Sequence, residues 1–521
     1  MKMKNKYGQY FTPKLVAEYM VSLANLNKNS TILESSSGKG VFIDSLTQSG
    51  YKNITGYEVD KELANNSSFV INESFVSADI VKKFNLIIGN PPYIRWKNLE
   101  PELKLELESH PLWSEYCNSL CDYSYIFILK SIELLKNGGE LIFITPEYWL
   151  NTTHALKLRN YMVKNGFFEQ IIHFNETKIF ESATVSTIIF KFVKSKSLKK
   201  PKIQLTKYHL HRNLKEGVLQ DIQNKTPREG VDYLEINQFE ENKRWALESE
   251  EIKSELRYFE ECCAIKYQEK SLKLNNFQTI GDVCRVGNGM VSGMDKAFQI
   301  HNIDHLNNYE KKHLLKVVKA KNLMAYSHGE ITHYIFLKNI KNEEELKENC
   351  PNFYKHFSEF RPTLEKRYEY KINGDVTPYW EWSFLRNFKL LLRDEQRIFV
   401  PCKERISNKN YFRFTLVESD LFPTQDVAVL FKKENVKESI YYILSFLNNK
   451  RVFKWLKANG IVKGSIVEFS SGPISSIPFR AIDWTNNKEV QLHNEISELA
   501  KKGILNNSNL DEIDNKMNQL F

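Results

Sequence analysis

Strand-like and helix-like segments alternate along residues 31–194 of this 521-residue chain, and this alternation constrains its fold more than any other feature. Short apolar runs bounded by turn residues predict the strands, at 31–34, 53–60, 75–80, 84–90, 140–150 and 184–194. Apolar residues at helical spacing predict the helices, at 40–50, 61–71 and 122–139, the last ending at a glycine pair. Such alternation is typical of a parallel sheet with right-handed crossovers. The fold class is therefore α/β, with a Rossmann-like, mostly parallel sheet in the first half.

The second half of the chain follows a different pattern. Its strand-like segments are irregular, and Trp and Tyr stand among arginines. The basic run KSKSLKKPK at 194–202 has few apolar residues and predicts a surface connection. Because 521 residues exceed one ordinary core, we predict two domains. The first comprises residues 1–240, and the second, a mixed α+β domain, comprises residues 241–521.

Four polar residues follow predicted strands of the first domain at the point where each strand ends. They are Glu34, Glu58, Asp79 and Asn90. In open α/β sheets, ligands bind outside the carboxyl ends of the strands. The sequence therefore predicts that one pocket collects these four side chains.

The first of these strand ends continues into a glycine loop, ESSSGKG at 34–40, which opens a helix. Gly38 and Gly40 let the backbone approach a ligand, and Glu58 follows at the spacing of an acid that binds ribose hydroxyls. The loop fits neither the dinucleotide pattern nor a Walker loop, and its acids would repel a pyrophosphate. They suit a cationic nucleoside such as S-adenosylmethionine. On this loop alone, a structural turn or another nucleotide fits as well.

The tetrapeptide Asn90-Pro91-Pro92-Tyr93 ends the apolar run FNLIIG. The Asn90 side-chain oxygen and the Pro91 carbonyl, which proline geometry holds rigidly, can accept both hydrogens of a planar amino group. Tyr93 offers a ring face for stacking. Paired acceptors favour a more tetrahedral nitrogen, whose lone pair can attack a methyl sulfonium without prior action of a general base. Catalysis would then rest on orientation and electrostatics.

Together these motifs resemble the gamma class of adenine-N6 DNA methyltransferases, the Taq-type modification enzymes. The resembling segments are GQYFTP at 8–13, ILESSSGKGVF at 32–42, GYEVD at 56–60, SADI at 77–80, NPPY at 90–93, GELIFITPEYWL at 139–150 and KIFESATVSTIIFKF at 178–192. Segments 279–300, 441–460 and 470–479 are similar to the specificity domain of the same enzymes. The family usually has proline after the first acid, where this chain has Ser35, a change that removes no ligand-contacting group.

The resemblance implies S-adenosylmethionine as cofactor and a methyltransferase sheet in the first domain. Thr12 and Glu34 would lie at the methionine end of the cofactor, and Glu58 would bind its ribose. Asp79, with the backbone of Ile80, would contact its adenine. The full set of implied cofactor-binding residues is Tyr10, Thr12, Glu34, Ser35, Gly38, Gly40, Glu58, Val59, Asp79, Ile80 and Asn90.

The resemblance also implies the catalytic residues Asn90, Pro91, Pro92, Tyr93 and Phe180. Asn90 and Pro91 would hold the target amine, and Tyr93 would stack on a base flipped out of duplex DNA. Phe180 matches the family's second aromatic, which packs on the other face or edge of the base. A core position for Phe180 fits the sequence at least as well.

Composition limits the remaining classes. The formal net charge of +9 indicates an anionic partner, nucleic acid before membrane. Seven cysteines without zinc spacing predict reduced thiols and no metal site. With a charged N-terminus and no apolar run of membrane-spanning length, we expect a cytoplasmic protein without a membrane partner.

The second domain contains a basic run that suits DNA. Eight cations fall between residues 386 and 413, at Arg386, Lys389, Arg393, Arg397, Lys403, Arg405, Lys409 and Arg413. The aromatic segment YWEWSF precedes them, and three glycines, Gly287, Gly289 and Gly293, predict a loop that approaches a phosphate backbone. We interpret 241–521 as the target-recognition domain for double-stranded DNA.

Several alternatives remain open at this point. The same tetrapeptide serves RNA adenine methyltransferases and protein glutamine methyltransferases, although those are shorter proteins without a basic C-terminal half. Cytosine-N4 enzymes tend to carry Ser in place of Asn90. A non-catalytic DNA-binding subunit and a fused restriction enzyme are the rivals of other classes. We expect a modification enzyme that can work as a monomer, either orphan or with a separately encoded cognate restriction endonuclease.

Overall fold

The computed structural model describes residues 10–64, 67–175, 177–180, 186–197, 199–209, 213–264, 278–367, 371–372, 375–406, 409–463, 466–506 and 510–521. The chain divides into two compact units. The first comprises Met1–Lys253 and Val462–Ser465, and the second comprises Ser254–Ile461 and Ile466–Phe521. The catalytic and DNA-reading roles of the two parts of the chain stay predictions.

The first unit is built on one large sheet, which in the described residues has nine strands. They are β1 Ile32–Glu34, β2 Ile54–Tyr57, β3 Val70–Ile71, β4 Phe84–Gly89, β5 Leu135–Pro146, β6 Gly166–His173, β7 Thr187–Lys194, β8 Ile203–Tyr208 and β9 Val231–Ile236. The spatial order is β3-β2-β1-β4-β5-β7-β6-β8-β9. Strands β3, β2, β1, β4 and β5 pair in parallel, as do β6 and β8, whereas β7 and β9 run antiparallel to their neighbours. The predicted mostly parallel α/β sheet is confirmed.

Helices flank this sheet. They are α1 Lys14–Ser22, α2 Val41–Gln48, α3 Lys61–Ala64, α4 Pro101–Ser109, α5 Pro111–Tyr116, α6 Ser124–Leu134, α7 Leu156–Asn165 and α8 Val218–Asn224. A ninth helix, α9 Glu250–Cys262, begins in the first unit, and most of its residues belong to the second. The apolar residues whose spacing predicts α2 form the face that this helix buries. Phe42, Ile43 and Leu46 of this face lie inside the core. Strand β4 is buried on both sides, as its continuous apolar run indicates. Each large side chain buried in this way contributes about 1.5–3 kcal/mol.

Three predicted elements are wrong in whole or in part. Residues 75–80 form a turn rather than a strand, and the third strand of the sheet is Val70–Ile71, inside the segment that we predicted as a helix. The glycine pair Gly138-Gly139 does not end helix α6. It lies in the irregular start of β5, where Gly138 has a φ of 78° and the register with β4 shifts.

The second unit is a mixture of small sheets and helices. Its strands are β10 Cys284–Asn288, β11 Gln299–Ile300, β12 Leu314–Val318, β13 Thr332–Ile335, β14 Lys371–Ile372, β15 Asp375–Val376, β16 Arg397–Pro401, β17 Lys403–Arg405, β18 Thr415–Val417, β19 Leu421–Pro423, β20 Val427–Lys432, β21 Ile461–Lys463 and β22 Ile466–Glu468. They form sheets ordered β10-β20-β16-β18, β11-β13-β12-β19, β17-β22-β21 and β14-β15. This is the mixed α+β architecture predicted for that part of the chain.

The helices of the second unit complete the fold. They are α10 Ile280–Val283, α11 Asp295–Phe298, α12 Asn308–Lys312, α13 Glu343–Asn349, α14 Pro351–Ser358, α15 Arg361–Leu364, α16 Phe388–Leu391, α17 Ile440–Leu447, α18 Lys450–Asn459, α19 Ser471–Ser475, α20 Asn487–Asn506 and α21 Leu510–Asn518. Across the ranges that the structure describes, no helix combines the length and the apolar character that crossing a membrane requires.

Candidate active site

A cavity of about 350 Å³ lies at the carboxyl ends of β1, β2, β3 and β4, at the edge where an open α/β sheet binds ligands. Many of the predicted site residues line it, namely Tyr10, Thr12, Glu34, Ser35, Gly38, Glu58, Val59, Asn90 and Pro92. Residues that the sequence argument did not single out complete the wall, among them Phe11, Lys39, Asp44, Glu73, Ser74, Phe75 and Phe127. The volume is that of an ordinary small-molecule site, which is typically about 300–1,000 Å³.

The glycine loop between β1 and α2 shapes one side of the cavity. Gly38 and Gly40 have φ angles of 52° and 81°, in the left-handed region that favours glycine. A Cβ on Gly40 would meet no atom within 4 Å, so this glycine serves the turn and not a close approach, and Gly40 itself does not line the cavity. The turn points the Gly38 amide at the Glu58 carboxylate, with 2.7 Å between nitrogen and oxygen.

Glu58 follows β2 and is fixed by backbone donors. One of its oxygens accepts from the Gly38 amide and the other from the Asp60 amide at 2.9 Å. Each carboxylate oxygen can accept a further hydrogen bond. Glu58 therefore has a set orientation and spare acceptor capacity toward a ligand with hydroxyl groups.

Glu34, at the end of β1, lacks the hydrogen-bond donors that fix Glu58. Its side chain is fully buried beside the cavity, and neither carboxylate oxygen has a hydrogen-bond partner among the described residues. Burial, and next the charge of Glu58, raise the pKa of Glu34 well above its usual value; Asp44 acts in the same direction, and the nearby Ser37 hydroxyl and Ile43 amide act against it. An unpaired buried carboxyl of this kind is costly unless it meets a cation or a donor.

The prediction that Asp79 shares this cavity is wrong. Asp79 and Ile80 line a separate, open recess with Lys83, His110 and Glu133. The reason is that the third strand ends at Ile71, so the residues that follow it into the cavity are Glu73, Ser74 and Phe75. A β-branched pair at Val70–Ile71 followed by an acid was the available signal, but it lay within the predicted helix.

The Asn90 side chain is engaged at both ends by its own chain. Its Nδ2 donates to the Tyr10 carbonyl oxygen at 2.6 Å and to Thr12 Oγ1 at 3.1 Å. Its Oδ1 accepts from the Tyr93 hydroxyl, which also lies 2.5 Å from the Ile144 carbonyl oxygen. The backbone carbonyl of Asn90 accepts from Ser36 Oγ at 3.0 Å. The amide is thus held in one orientation.

Tyr93 belongs to an aromatic cluster with Tyr10 and Phe180. The rings of Tyr10 and Tyr93 stack with centroids 5.8 Å apart, and Phe180 lies 6.0 Å from Tyr10 and 6.4 Å from Tyr93, tilted by 60° to the latter. Pro91, Tyr93 and Phe180 do not line the 350 Å³ cavity. Sequence reasoning placed Tyr10 with the cofactor only, whereas its ring also contacts both aromatics predicted to hold the base.

The basic run of the second unit is only partly available for DNA. Arg397 is fully buried and donates to the Leu391 carbonyl at 2.9 Å and to the Ser419 carbonyl. Arg413 and Lys409 pair with the buried Glu404. The prediction that Arg397 contacts a DNA phosphate is therefore wrong. The side chains that remain exposed are Arg386, Lys389, Arg393, Lys403 and Arg405.

The three glycines of the second unit pack internally. A Cβ on Gly287 would lie 2.3 Å from Asn387 Nδ2, and one on Gly289 would lie 2.2 Å from the Thr424 carbonyl oxygen. Gly293 has a φ of 89° and would meet Ser383 Oγ at 2.3 Å. These contacts explain the glycines without a phosphate. No group of three or more His, Cys, Asp or Glu suited to a metal ion occurs in the described part of the chain.

Comparison with known proteins identifies the family. The Eco57I restriction-modification methylase model matches residues 17–180. The type II methyltransferase M.HindII of Haemophilus influenzae is 46% identical to this chain over 509 residues, covering 96% of this chain and 95% of that protein. M.HincII, from the same species, is 44% identical over 96% of this chain and 95% of its own length. The chain belongs to this family of type II restriction-modification methyltransferases.

A solved structure with the same fold agrees. The type IIL restriction-modification enzyme MmeI, determined in complex with DNA, superposes with a TM-score of 0.62 at 12% identity, covering 97% of this chain and 71% of that chain. Family and fold together make the chain a DNA methyltransferase with S-adenosylmethionine as methyl donor. The cavity fits this cofactor, because the unpaired Glu34 carboxyl suits its ammonium and Glu58 suits its ribose hydroxyls.

Proposed function

We propose that the enzyme methylates N6 of an adenine that has left the stack of a specific duplex DNA sequence. The observation that carries the proposal is the fixed Asn90 amide. Its nitrogen is occupied by Tyr10 and Thr12, and its oxygen faces the aromatic cluster of Tyr93 and Phe180. An acceptor beside aromatic rings suits an amino group on a planar base. Asparagine, rather than serine, at this position favours adenine over cytosine.

On the cofactor side, each wall has a proposed role. Glu34 would pair with the ammonium and Glu58 would accept from the ribose hydroxyls. Glu73, Ser74 and Phe75 would contact the adenine in place of Asp79 and Ile80, since they follow the third strand into the cavity. S-adenosylmethionine supplies the methyl group as an electrophilic sulfonium. Four carboxylates line the cavity, at Glu34, Asp44, Glu58 and Glu73, and they favour such a cation.

On the base side, Asn90 Oδ1 and the Pro91 carbonyl would accept the two amine hydrogens and orient the nitrogen lone pair toward the cofactor cavity. Tyr93 would stack on the base. The target amine cannot reach the cavity from within a duplex, so the base must flip out. In the ligand-free enzyme the Tyr93 hydroxyl lies at Asn90 Oδ1, so the amine would share this acceptor with the hydroxyl or displace it.

The remaining proposals concern the setting of the reaction. The second unit would read the DNA sequence, with its exposed cations on phosphates. The enzyme would act as a monomer in the cytoplasm, where it protects host DNA. A cognate restriction endonuclease would be encoded separately.

Sequencing of DNA from a host free of other adenine methylation tests the proposal. Expression of the enzyme is expected to place N6-methyladenine in one short sequence motif, and Asn90→Ala is expected to remove it. The exposed Asn98→Ala serves as a matched control that should leave the modification in place. Modification on cytosine instead would refute the adenine assignment, and modification by the Asn90 variant would refute the site.

A further inference from the structure

The orientation of the Asn90 amide decides what it can bind. An asparagine side chain offers an acceptor at one end and two donor hydrogens at the other, and a half-turn exchanges them. A target amine also presents donor hydrogens. It can be held only when Oδ1, not Nδ2, faces the aromatic cluster.

Two groups of the segment before α1 hold this orientation, and the first of them selects it. The Tyr10 carbonyl oxygen can only accept, and it lies 2.6 Å from Asn90 Nδ2. Turning the amide would place two acceptors against each other. The Thr12 hydroxyl, at 3.1 Å, accepts the other amide hydrogen and so adds a second hydrogen bond to the orientation that Tyr10 selects.

Thr12 is well placed to keep its position. Its side chain is 8% exposed, and the next residue, Pro13, begins the first turn of α1 through its carbonyl, which accepts from the Val16 and Ala17 amides. The hydroxyl is therefore anchored between a helix start and the catalytic amide. No other described side chain donates to or accepts from Asn90 Nδ2.

The opposite end of the amide is compatible with the same orientation. The Tyr93 hydroxyl lies within hydrogen-bond distance of both Asn90 Oδ1 and the Ile144 carbonyl oxygen, and it can give its one proton to either acceptor. Burial raises the pKa of Tyr93 well above its usual value, so the hydroxyl keeps that proton at neutral pH.

We propose that Thr12 is a positioning residue for methyl transfer, whose hydroxyl holds the Asn90 amide with Oδ1 toward the target amine. This inference rests on the proposed role of Asn90 and goes beyond the cofactor contact expected for Thr12. It assigns the hydroxyl an effect on turnover that is separable from cofactor affinity.

The test compares Thr12→Val, which keeps the shape but loses the acceptor, with Thr12→Ser, which keeps the acceptor. Because one hydrogen bond is lost, Thr12→Val is expected to lower kcat about tenfold. The dissociation constant for S-adenosylmethionine, measured by titration calorimetry without DNA, is expected to change by less than kcat does, although Thr12 also lines the cofactor cavity. Thr12→Ser is expected to recover most of the kcat. Thr12→Ala provides a second hydroxyl-free variant if the valine variant does not fold.

A further readout concerns the target amine itself. Wild-type enzyme is expected to bind a duplex with adenine at the target more tightly than one with purine, which lacks the amino group, and Thr12→Val is expected to lose part of this preference. An unchanged kcat, a loss confined to cofactor affinity, or equal losses in the serine and valine variants would each overturn the proposal.

The Asn90→Ala variant distinguishes a failure of the Thr12 proposal from a failure of the proposed active site. If Asn90→Ala is inactive while Thr12→Val is fully active, the positioning role of Thr12 fails and the proposed site stands. If Asn90→Ala keeps its activity, the proposed site fails, and the role of Thr12 fails with it.

Discussion

The cofactor cavity and the proposed base site are neighbouring regions of the first unit, and they differ in how open they are in the ligand-free enzyme. The cofactor cavity is open, about 350 Å³ in volume, and its Glu34 carboxyl has no partner among the described residues. The proposed base site is closed, because Asn90 is hydrogen-bonded at both ends of its amide within the chain and the rings of Tyr93 and Phe180 lie 6.4 Å apart. The cofactor cavity is therefore preformed, whereas the proposed base site has to open.

The ring geometry shows how far the base site must open. Two rings that stack on both faces of a base are parallel and about 7 Å apart, twice the spacing of stacked bases. The Tyr93 and Phe180 rings are 6.4 Å apart and tilted by 60°. A flipped base that stacks on Tyr93 would therefore have to reorient Phe180 or pack against it edge to face.

A substitution at Asn90 is expected to impair methyl transfer more than any other and to leave the cofactor cavity intact. Asn90→Ala removes the base acceptor and is expected to lower methyl transfer by about 100- to 1,000-fold, as loss of a transition-state hydrogen-bonding group does. S-adenosylmethionine affinity is expected to change by less than about fivefold, because Glu34 and Glu58 remain. Radiolabel transfer and titration calorimetry measure the two quantities. A parallel loss of affinity would show that the regions are not separate.

A smaller effect is expected in the cofactor cavity alone. Glu34→Gln removes the charge that faces the ammonium and is expected to weaken S-adenosylmethionine binding about 10- to 100-fold while DNA affinity is unchanged. Calorimetric titrations of cofactor and of DNA check this. The exposed Glu62→Gln, on α3, is the matched control. Equal affinities in the Glu34 variant and wild type would contradict the assigned contact.

The pH dependence of cofactor affinity also tests whether Glu34 faces the ammonium. The pKa of Glu34 is raised in the ligand-free enzyme, chiefly by burial and then by Glu58, and an adjacent ammonium would lower it. Glu34 therefore binds a proton at low pH that cofactor binding must release. Affinity is expected to rise with pH, by up to about tenfold per unit, from the ordinary glutamate pKa of about 4.3 up to the raised value.

Calorimetry in buffers of different ionisation enthalpy counts the released proton. Wild-type enzyme is expected to release up to one proton per cofactor within that pH window, and Glu34→Gln to release fewer. Other charged groups that line the cavity can also exchange protons when the cofactor binds; they are Asp44, Glu58, Glu73 and Lys39. The contribution of Glu34 is therefore the difference between the proton counts of wild type and Glu34→Gln. An identical proton count in both would contradict the account.

The base site is expected to respond to Tyr93 in two distinct ways. Tyr93→Ala loses the stacking surface and is expected to lower turnover about 10- to 100-fold, since base stacking contributes about 1–3 kcal/mol. Tyr93→Phe keeps the ring but frees Asn90 Oδ1, and is expected to raise the fluorescence of 2-aminopurine at the target position by favouring the flipped state. Unchanged fluorescence in Tyr93→Phe would show that the hydroxyl does not close the site.

The smallest expected effect concerns the glycine loop. Gly40→Ala forces a left-handed φ of 81° on a residue with a Cβ and is expected to cost about 1–2 kcal/mol of stability. Gly472→Ala is the control, because its added Cβ also meets no atom within 4 Å and its φ lies outside the left-handed region. Urea unfolding of both variants measures the difference. Equal destabilisation would remove the conformational explanation.

Local sequence signals predicted the parts of this site that strand ends determine. The apolar runs at β1, β2 and β4 are bounded by turn residues, so Glu34, Glu58 and Asn90 could be placed at one edge of the sheet. The third strand was not predicted correctly, because Val70–Ile71 is too short to show a period-2 pattern of apolar residues. Because of that error we expected Asp79, rather than Glu73, to line the cavity.

Other errors came from contacts that only tertiary structure determines. A run of cations predicts a DNA surface, but nothing local shows that Arg397 meets two backbone carbonyls in the core. The same holds for Gly287 and Gly289, whose small size is required by Asn387 and Thr424. The closed state of the base site depends on Tyr10 and Ile144, which lie far from Asn90 in sequence.

A crystal structure of the enzyme with its duplex and a cofactor analogue would show both proposed sites in their occupied state. We expect the Tyr93 hydroxyl to have left Asn90 Oδ1, which then accepts the amine of a flipped adenine, while Glu34, Gly38 and Glu58 stay within about 1 Å of their present positions. A flipped base held away from Asn90, or a cofactor bound outside the acid-lined cavity, would contradict the account.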